Sequence, residues 1–168
     1  MFTRAREHEG FGLIELLVAL TVLSIGILAT IGVFASGMVT IRRAGAISTA
    51  TALADRQMEG FRALRFASIG LLSPIPTNSV YTGDVAYTEA GGAAGMLTVA
   101  SCSPTSQCTA SQTLTGADGH SYRVDTYISN DVESGRTLKK VTIVVRNVKN
   151  LTGPTYVREV TSFDAGLG

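Results

Sequence analysis

The chain has 168 residues, of which 45% are hydrophobic and 16% are charged, and its formal net charge is +1. This length leaves room for one modest domain beyond any membrane segment. The 14 basic and 13 acidic residues include no polybasic stretch, so the sequence has no footprint for binding a nucleic acid.

The N-terminal third begins with a polar leader, residues 1–10, which ends at a glycine and is followed at once by an apolar segment. No charged residue occurs from Leu16 to Ile41, a run of 26 residues that is long enough to cross a bilayer as a helix. Glu15 lies just before this run. An ionisable group at the start of such a span costs free energy, of order 1 kcal/mol or more depending on its depth. We therefore expect Glu15 to have a function.

Two simpler kinds of segment, a secretory signal peptide and a plain membrane anchor, also contain an apolar run. The apolar region of a signal peptide has about 7–15 residues, which is shorter than this one. The run also lacks a clear small-residue cleavage site, since Ala35-Ser36-Gly37 is a weak candidate. A plain anchor explains the length, but it needs neither Glu15 nor a glycine at the border between polar and apolar residues.

The segment from Gly10 to Leu20 resembles the class III leader and N-terminal helix of type IV pilins and pseudopilins. The resemblance implies that a prepilin peptidase cleaves between Gly10 and Phe11, and that Phe11 becomes the N-methylated terminus. Glu15 is then the fifth mature residue, the position at which this family has a glutamate for filament assembly. Gly12 departs mildly from the Thr or Ser that is commoner at the second mature position.

The resemblance extends over about the first 65 residues, because Ser24–Leu28 and Thr49–Glu59 look like minor pilins of the PilV type and like type II secretion minor pseudopilins. It implies a single-pass protein of the bacterial inner membrane that later enters a pilus or pseudopilus. The implied partners are other pilin subunits, contacted through the N-terminal helix, together with the prepilin peptidase and the inner-membrane pilus assembly proteins.

The charges that flank the apolar run do not settle its orientation. The positive-inside rule compares Arg4 and Arg6, before the run, with Arg42 and Arg43, after it. The resemblance and the cysteine pair described below both place the C-terminal part outside the cytoplasm, and we adopt that orientation.

We predict four segments: the leader 1–10, a transmembrane and assembly helix 11–41, the soluble half of the same helix 42–66, and a β-rich head 67–168. Gly26, Gly32 and Gly37 favour close packing between membrane helices over local loosening of the span. In the soluble half, Glu59 and Arg62 are spaced for an i,i+3 ion pair. An apolar stripe at three- and four-residue spacing predicts the buried face, with the members Ile47, Thr51, Ala54, Met58, Phe61 and Leu64.

Residues 67–119 carry weaker signals. Ser73-Pro74-Ile75-Pro76 ends the helical region. The alternating residues Val85–Tyr87 and Met96–Val99 suggest short strands, and the glycine-rich segment 91–95 between them suggests a linker or hairpin turn. The sequence does not determine how these strands pair.

Cys102 and Cys108 enclose a short loop. A disulfide between them would stabilise the fold by roughly 2 kcal/mol and would imply an oxidising compartment. The alternative is half of a zinc site, which is less favoured because no histidine lies nearby.

The last third of the chain contains three alternating segments, Tyr122–Ile128, Lys140–Arg146 and Tyr156–Phe163, with a turn near Gly135 in the connection 130–136. Their short links predict an antiparallel meander. We therefore predict an α+β fold, in which a long N-terminal helix packs on a C-terminal antiparallel sheet as in the lollipop-shaped pilins.

The sequence contains no recognisable catalytic constellation. His120 stands alone beside the turn dipeptide Asp118-Gly119, and the remaining aspartates are scattered, so we predict no enzyme activity, no cofactor and no metal site. The predicted function is that of a minor-pilin-like structural subunit of a type IV pilus. The alternatives are a minor pseudopilin of a type II secretion system and a membrane-tethered extracytoplasmic binding domain.

Overall fold

The computed structural model describes residues 12–133 and 135–165. Helix α1 spans Leu13–Arg62, and short helices α2, α3 and α4 span Ser79–Thr82, Val85–Glu89 and Gly92–Gly95. The strands are β1 Leu71–Leu72, β2 Thr98–Val99, β3 Ser111–Thr115, β4 Ser121–Glu133, β5 Arg136–Asn147 and β6 Val157–Asp164. Two 3-10 turns cover Phe66–Ser68 and Thr105–Cys108.

The chain divides into two units, one that ends at Arg43 and one that begins at Ala44. The described part of the first unit is helical from Leu13 onward. The second unit contains the remainder of α1, the short elements and the sheet, which together have their own hydrophobic core.

Helix α1 ends at Arg62, four residues before the predicted end at 66. Its last turn is closed by the Ala63 amide, which donates to the Glu59 carbonyl over 3.1 Å, and Arg65 then adopts an extended conformation with φ −64° and ψ 144°. The predicted pair between Glu59 and Arg62 is present and exposed to solvent.

The buried face of α1 in the second unit differs in part from the predicted stripe. Ala54, Met58 and Phe61 are buried as predicted, but Thr51 is exposed and donates its hydroxyl to the Ile47 carbonyl over 3.0 Å. Compared with the predicted stripe, the helix therefore turns a different row of side chains toward the core. The residues that complete this row are Ala50, Leu53 and Gln57, and Leu64 lies beyond the helix, partly buried against the core.

Within the described residues, β3, β4, β5 and β6 form a four-stranded antiparallel sheet in that order. This confirms the predicted meander, with Val124 paired to Val145 and Ile143 to Glu159. The turn predicted near Gly135 is present, and Gly135 takes a left-handed φ of 79° there. Strands β4 and β5 extend into the connection 130–136, because they stay paired as far as Glu133 and Arg136. Strand β3 was not predicted, since its polar residues carry little strand signal.

The segment 67–119 corrects two expectations. Residues Val85–Tyr87 are helical rather than extended, because Asp84 caps α3 by accepting a hydrogen bond from the Ala86 amide over 2.7 Å. The glycine-rich segment 91–95 contains the helical turn α4. The expected strand at Met96–Val99 is present in part as β2, which pairs in parallel with β1, and the Leu97 amide donates to the Ile128 carbonyl of β4 over 2.8 Å.

A buried ionic cluster fixes α3 on the sheet. Arg146 of β5 bonds to Asp84, the cap of α3, and to Asp125 of β4, the latter over 3.0 Å. Arg158 of β6 reaches Asp84 over 2.7 Å, and Arg123 of β4 reaches Asp125 over 2.9 Å. Both carboxylates are buried, and each accepts from two arginines, which offsets part of the free-energy cost of their lost hydration.

Candidate assembly helix

The leader residue Gly10 and its neighbour Phe11, the predicted processing site, lie outside the described residues. The structure begins at Gly12, whose carbonyl accepts hydrogen bonds from the amides of Glu15, over 3.0 Å, and Leu16, over 3.2 Å. Glu15 therefore lies in the first turn of α1. A negative charge is favourable there because the amides at a helix N-terminus carry partial positive charge.

None of the residues 12–43 is buried. The large apolar side chains of this segment are more than half exposed on every face of the helix, Leu13 by 83% and Ile41 by 72%. A helix that is apolar all round has to be covered by lipid or by other helices. An 18-residue window of α1 has a mean hydropathy of 2.5, so by length and composition this helix qualifies to cross a membrane.

Every hydroxyl in this segment donates to a backbone carbonyl of the preceding helical turn, over 2.8 to 3.1 Å. Polar groups satisfied in this way do not need water, which makes the helix compatible with a lipid environment. The donor and acceptor pairs are Thr21 to Val18, Ser24 to Leu20, Thr30 to Gly26, Ser36 to Val33 and Thr40 to Ser36.

The carboxylate of Glu15 has no such internal partner among the described residues, and it is exposed. Gly26, Gly32 and Gly37 also face open space, since a Cβ atom at any of them would have no neighbour within 4 Å. A second helix could therefore approach the backbone closely at these positions, and helix packing there stays a prediction.

The predicted disulfide between Cys102 and Cys108 is present, with the two Cα atoms 6.1 Å apart. Gln107, which was not predicted from the sequence, lies inside this loop and contacts Gln57 of α1. The amide nitrogen of its side chain donates to the Gln57 carbonyl over 2.7 Å, and the Gln57 side chain donates back to the Gln107 carbonyl over 2.9 Å. A polar pair of this kind has no sequence period that could reveal it.

The turn with the histidine is a surface feature. His120 is exposed, and its Nδ1 lies 3.3 Å from the carboxylate oxygen Oδ2 of Asp118. The Tyr122 hydroxyl donates to Asp118 and holds the pKa of that carboxyl below its usual value, while burial raises the pKa of Tyr122 to about 12. Within the described ranges, no three His, Cys, Asp or Glu side chains converge on a metal-binding geometry.

Comparison with protein families gives a match to the prokaryotic N-terminal methylation motif over residues 6–31. This stretch includes the border at Gly10, the following Phe11, Glu15 and the first part of α1. No curated protein and no solved structure is significantly similar to the chain. The matched motif and the apolar helix thus define the candidate functional segment.

Proposed function

Because the chain combines the N-terminal methylation motif with the α+β fold of a type IV pilin or pseudopilin, we propose that it is a minor-pilin-like structural subunit of a type IV pilus. A prepilin peptidase cleaves it after Gly10, and Phe11 becomes the methylated terminus. The subunit then enters a filament or primes its assembly through α1. Before assembly it spans the inner membrane once, with the residues from Ala44 onward outside the cytoplasm.

One observation supports an assembly function most directly. From Leu13 to Ile41, α1 exposes apolar side chains in every direction, and Glu15 at its start lacks a partner among the described residues. A membrane anchor for a binding domain would need the apolar surface but not the carboxylate. A filament subunit needs both, because its helix leaves lipid to pack against other helices in a fixed register.

The proposed partner of Glu15 is the amine that cleavage frees at Phe11 of a neighbouring subunit. Within one helix, the first and fifth residues are separated by a rise of about 6 Å. A neighbour shifted along the axis by this amount would bring its amine to the carboxylate. In a low-dielectric environment the pair is strongly favoured over two unpaired charges, and it fixes an axial register that apolar contacts alone leave free.

The test compares the wild-type chain with the variants Glu15→Ala and Glu15→Gln in the native host. We expect both variants to insert in the membrane and to be cleaved, so that intact mass gives a chain that begins at methylated Phe11. We also expect them to be lost from sheared filaments by tenfold or more. Glu59→Ala, which removes an exposed carboxylate from the other end of the same helix, serves as the control and should enter filaments normally.

Normal recovery of Glu15→Ala in sheared filaments would show that the carboxylate has no assembly function. A mature terminus beyond residue 35 would instead indicate a signal peptide. A deletion strain separates the two kinds of filament, because loss of surface pili supports the pilus assignment, whereas loss of protein secretion with intact pili supports a type II pseudopilin.

A further inference from the structure

Arg42 and Arg43 are the first charged residues after the 26-residue apolar run, and the next charge along the chain is Asp55. Both arginines are exposed on α1. Among the described residues, neither is paired with a carboxylate. Within the part of the chain that the structure describes, these two consecutive arginines therefore have no carboxylate partner, and they lie at the border of an apolar surface.

The length of the helix determines where these groups lie when the span is in a bilayer. From Glu15 to Arg42 the helix rises about 40 Å, and a bilayer with its headgroups is about 40–45 Å thick. When Glu15 lies at one headgroup layer, Arg42 and Arg43 lie at the other. The long arginine side chains can extend along the apolar border and place their charged ends at the depth of the phosphates.

We propose that Arg42 and Arg43 bind the headgroups of anionic phospholipids in the extracytoplasmic leaflet. A guanidinium presents parallel N–H donors that match two phosphate oxygens. Each basic residue near an anionic lipid surface strengthens binding to that surface about fivefold. The pair should therefore favour an anionic over a zwitterionic lipid by roughly 25-fold. The choice of leaflet rests on the proposed function, which places the residues beyond the span outside the cytoplasm.

Processing would leave Arg42 and Arg43 as the basic side chains that flank the span. Cleavage after Gly10 would remove Arg4 and Arg6, the basic residues on the other flank of the span. The mature chain would then carry the Phe11 amine at one end of the span, where the proposed function pairs it with Glu15, and Arg42 and Arg43 at the other end. Before the subunit enters a filament, Arg42 and Arg43 therefore suit an anionic headgroup as their ligand.

The test uses the purified full-length chain in a neutral detergent, titrated separately with phosphatidylglycerol and phosphatidylcholine, with bound lipids counted by native mass spectrometry. The wild type should prefer phosphatidylglycerol, and the double variant Arg42→Gln/Arg43→Gln should lose this preference by about 25-fold. Arg42→Lys/Arg43→Lys should keep most of it, because the charge is retained. The matched control Arg56→Gln/Arg65→Gln removes two exposed arginines from the second unit and should behave as the wild type does.

An unchanged lipid preference in Arg42→Gln/Arg43→Gln would overturn the proposal, as would an equal loss in the Arg56→Gln/Arg65→Gln control. Displacement of phosphatidylglycerol by an equal concentration of inorganic phosphate would show a site for free phosphate instead. Loss of Arg42→Gln/Arg43→Gln from filaments with lipid selectivity intact would identify an acidic protein partner and would also overturn it.

The lipid measurement does not depend on filament entry, so the two proposals fail separately. If the purified wild-type chain prefers phosphatidylglycerol but is missing from the filaments of its host, the pilus assignment is rejected and the lipid site is supported. If the chain enters filaments normally but shows no lipid preference, the pilus assignment is supported and the lipid site is rejected.

Discussion

Glu159 on β6 is a carboxylate held in an unfavourable environment. One of its oxygens is buried and has no hydrogen-bond donor in the described part of the chain. Burial raises the pKa of Glu159, the nearby Asp55 and Glu59 of α1 raise it further, and Arg62 opposes the shift. The charged form is therefore destabilised where β6 faces the helix.

This shift predicts a pH-dependent stability. Because the pKa in the folded state lies above the ordinary value of 4.5, the contribution of Glu159 is fully favourable below that value and is lost as pH rises through the raised pKa. Glu159→Gln, which imitates the protonated form, should stabilise the chain at neutral pH and leave acidic stability almost unchanged. Urea unfolding at a series of pH values measures this.

Glu89→Gln is the control for this substitution, because Glu89 is about half exposed near Lys140 and Arg158. It should not stabilise the chain at neutral pH. A Glu159→Gln protein that unfolds at the wild-type urea concentration at every pH would contradict the assigned environment.

At the scale of elements, the disulfide-closed loop and α1 fit together closely at Gly60. Gln107 and Gln57 exchange hydrogen bonds across this contact, and Gln112 of β3 adds a bond of 3.1 Å to the Gln57 side chain. A Cβ atom at position 60 would overlap the buried side-chain amide of Gln107. The glycine is thus required by close approach rather than by its backbone conformation.

Alanine normally stabilises a helix by about 1 kcal/mol relative to glycine, and this contact should reverse the sign. Gly60→Ala forces Gln107 away from the Gln57 carbonyl, and overpacking of this kind costs about 1–3 kcal/mol. We expect a net destabilisation of up to about 2 kcal/mol in thermal or urea unfolding.

Gly45→Ala provides the comparison on the same helix, because no atom lies within 4 Å of a Cβ there. It should be neutral or stabilising by up to about 1 kcal/mol. If Gly60→Ala is as stable as Gly45→Ala, the loop does not dock on the helix as described.

At the scale of the whole molecule, the buried core formed by the described residues lies entirely in the second unit. All its buried apolar members, from Ala50 on α1 to Val145 on β5, lie after Ala44. A chain that begins at Ala44 should therefore be soluble, unfold cooperatively and keep the Cys102–Cys108 bond.

Circular dichroism, amide-proton dispersion and thiol labelling of this truncated chain check the prediction. The expected result is a folded protein without free thiols and with the thermal midpoint of the full chain to within a few degrees. A molten or aggregated product would show that the fold needs residues before Ala44.

The sequence alone was sufficient to predict the methylation-motif segment, because its signals are local. A glycine border, a carboxylate five residues later and 26 uncharged residues lie next to one another in the chain, and the methylation motif confirms the resemblance they carry. The three apolar strands of the meander were also predicted, since period-two alternation directly reflects burial on one face.

The tertiary structure decided what depends on distant partners. Strand β3 exists because β4 offers it an edge, Gln57 is buried because Gln107 satisfies it, and Val85–Glu89 is helical because Asp84 both caps it and binds Arg146. Two of these states depend on partners far along the chain, since Gln107 lies 50 residues from Gln57 and Arg146 lies 62 residues from Asp84. Propensity and periodicity measure local preference, so they cannot identify a polar group whose burial is made favourable by a partner elsewhere in the sequence.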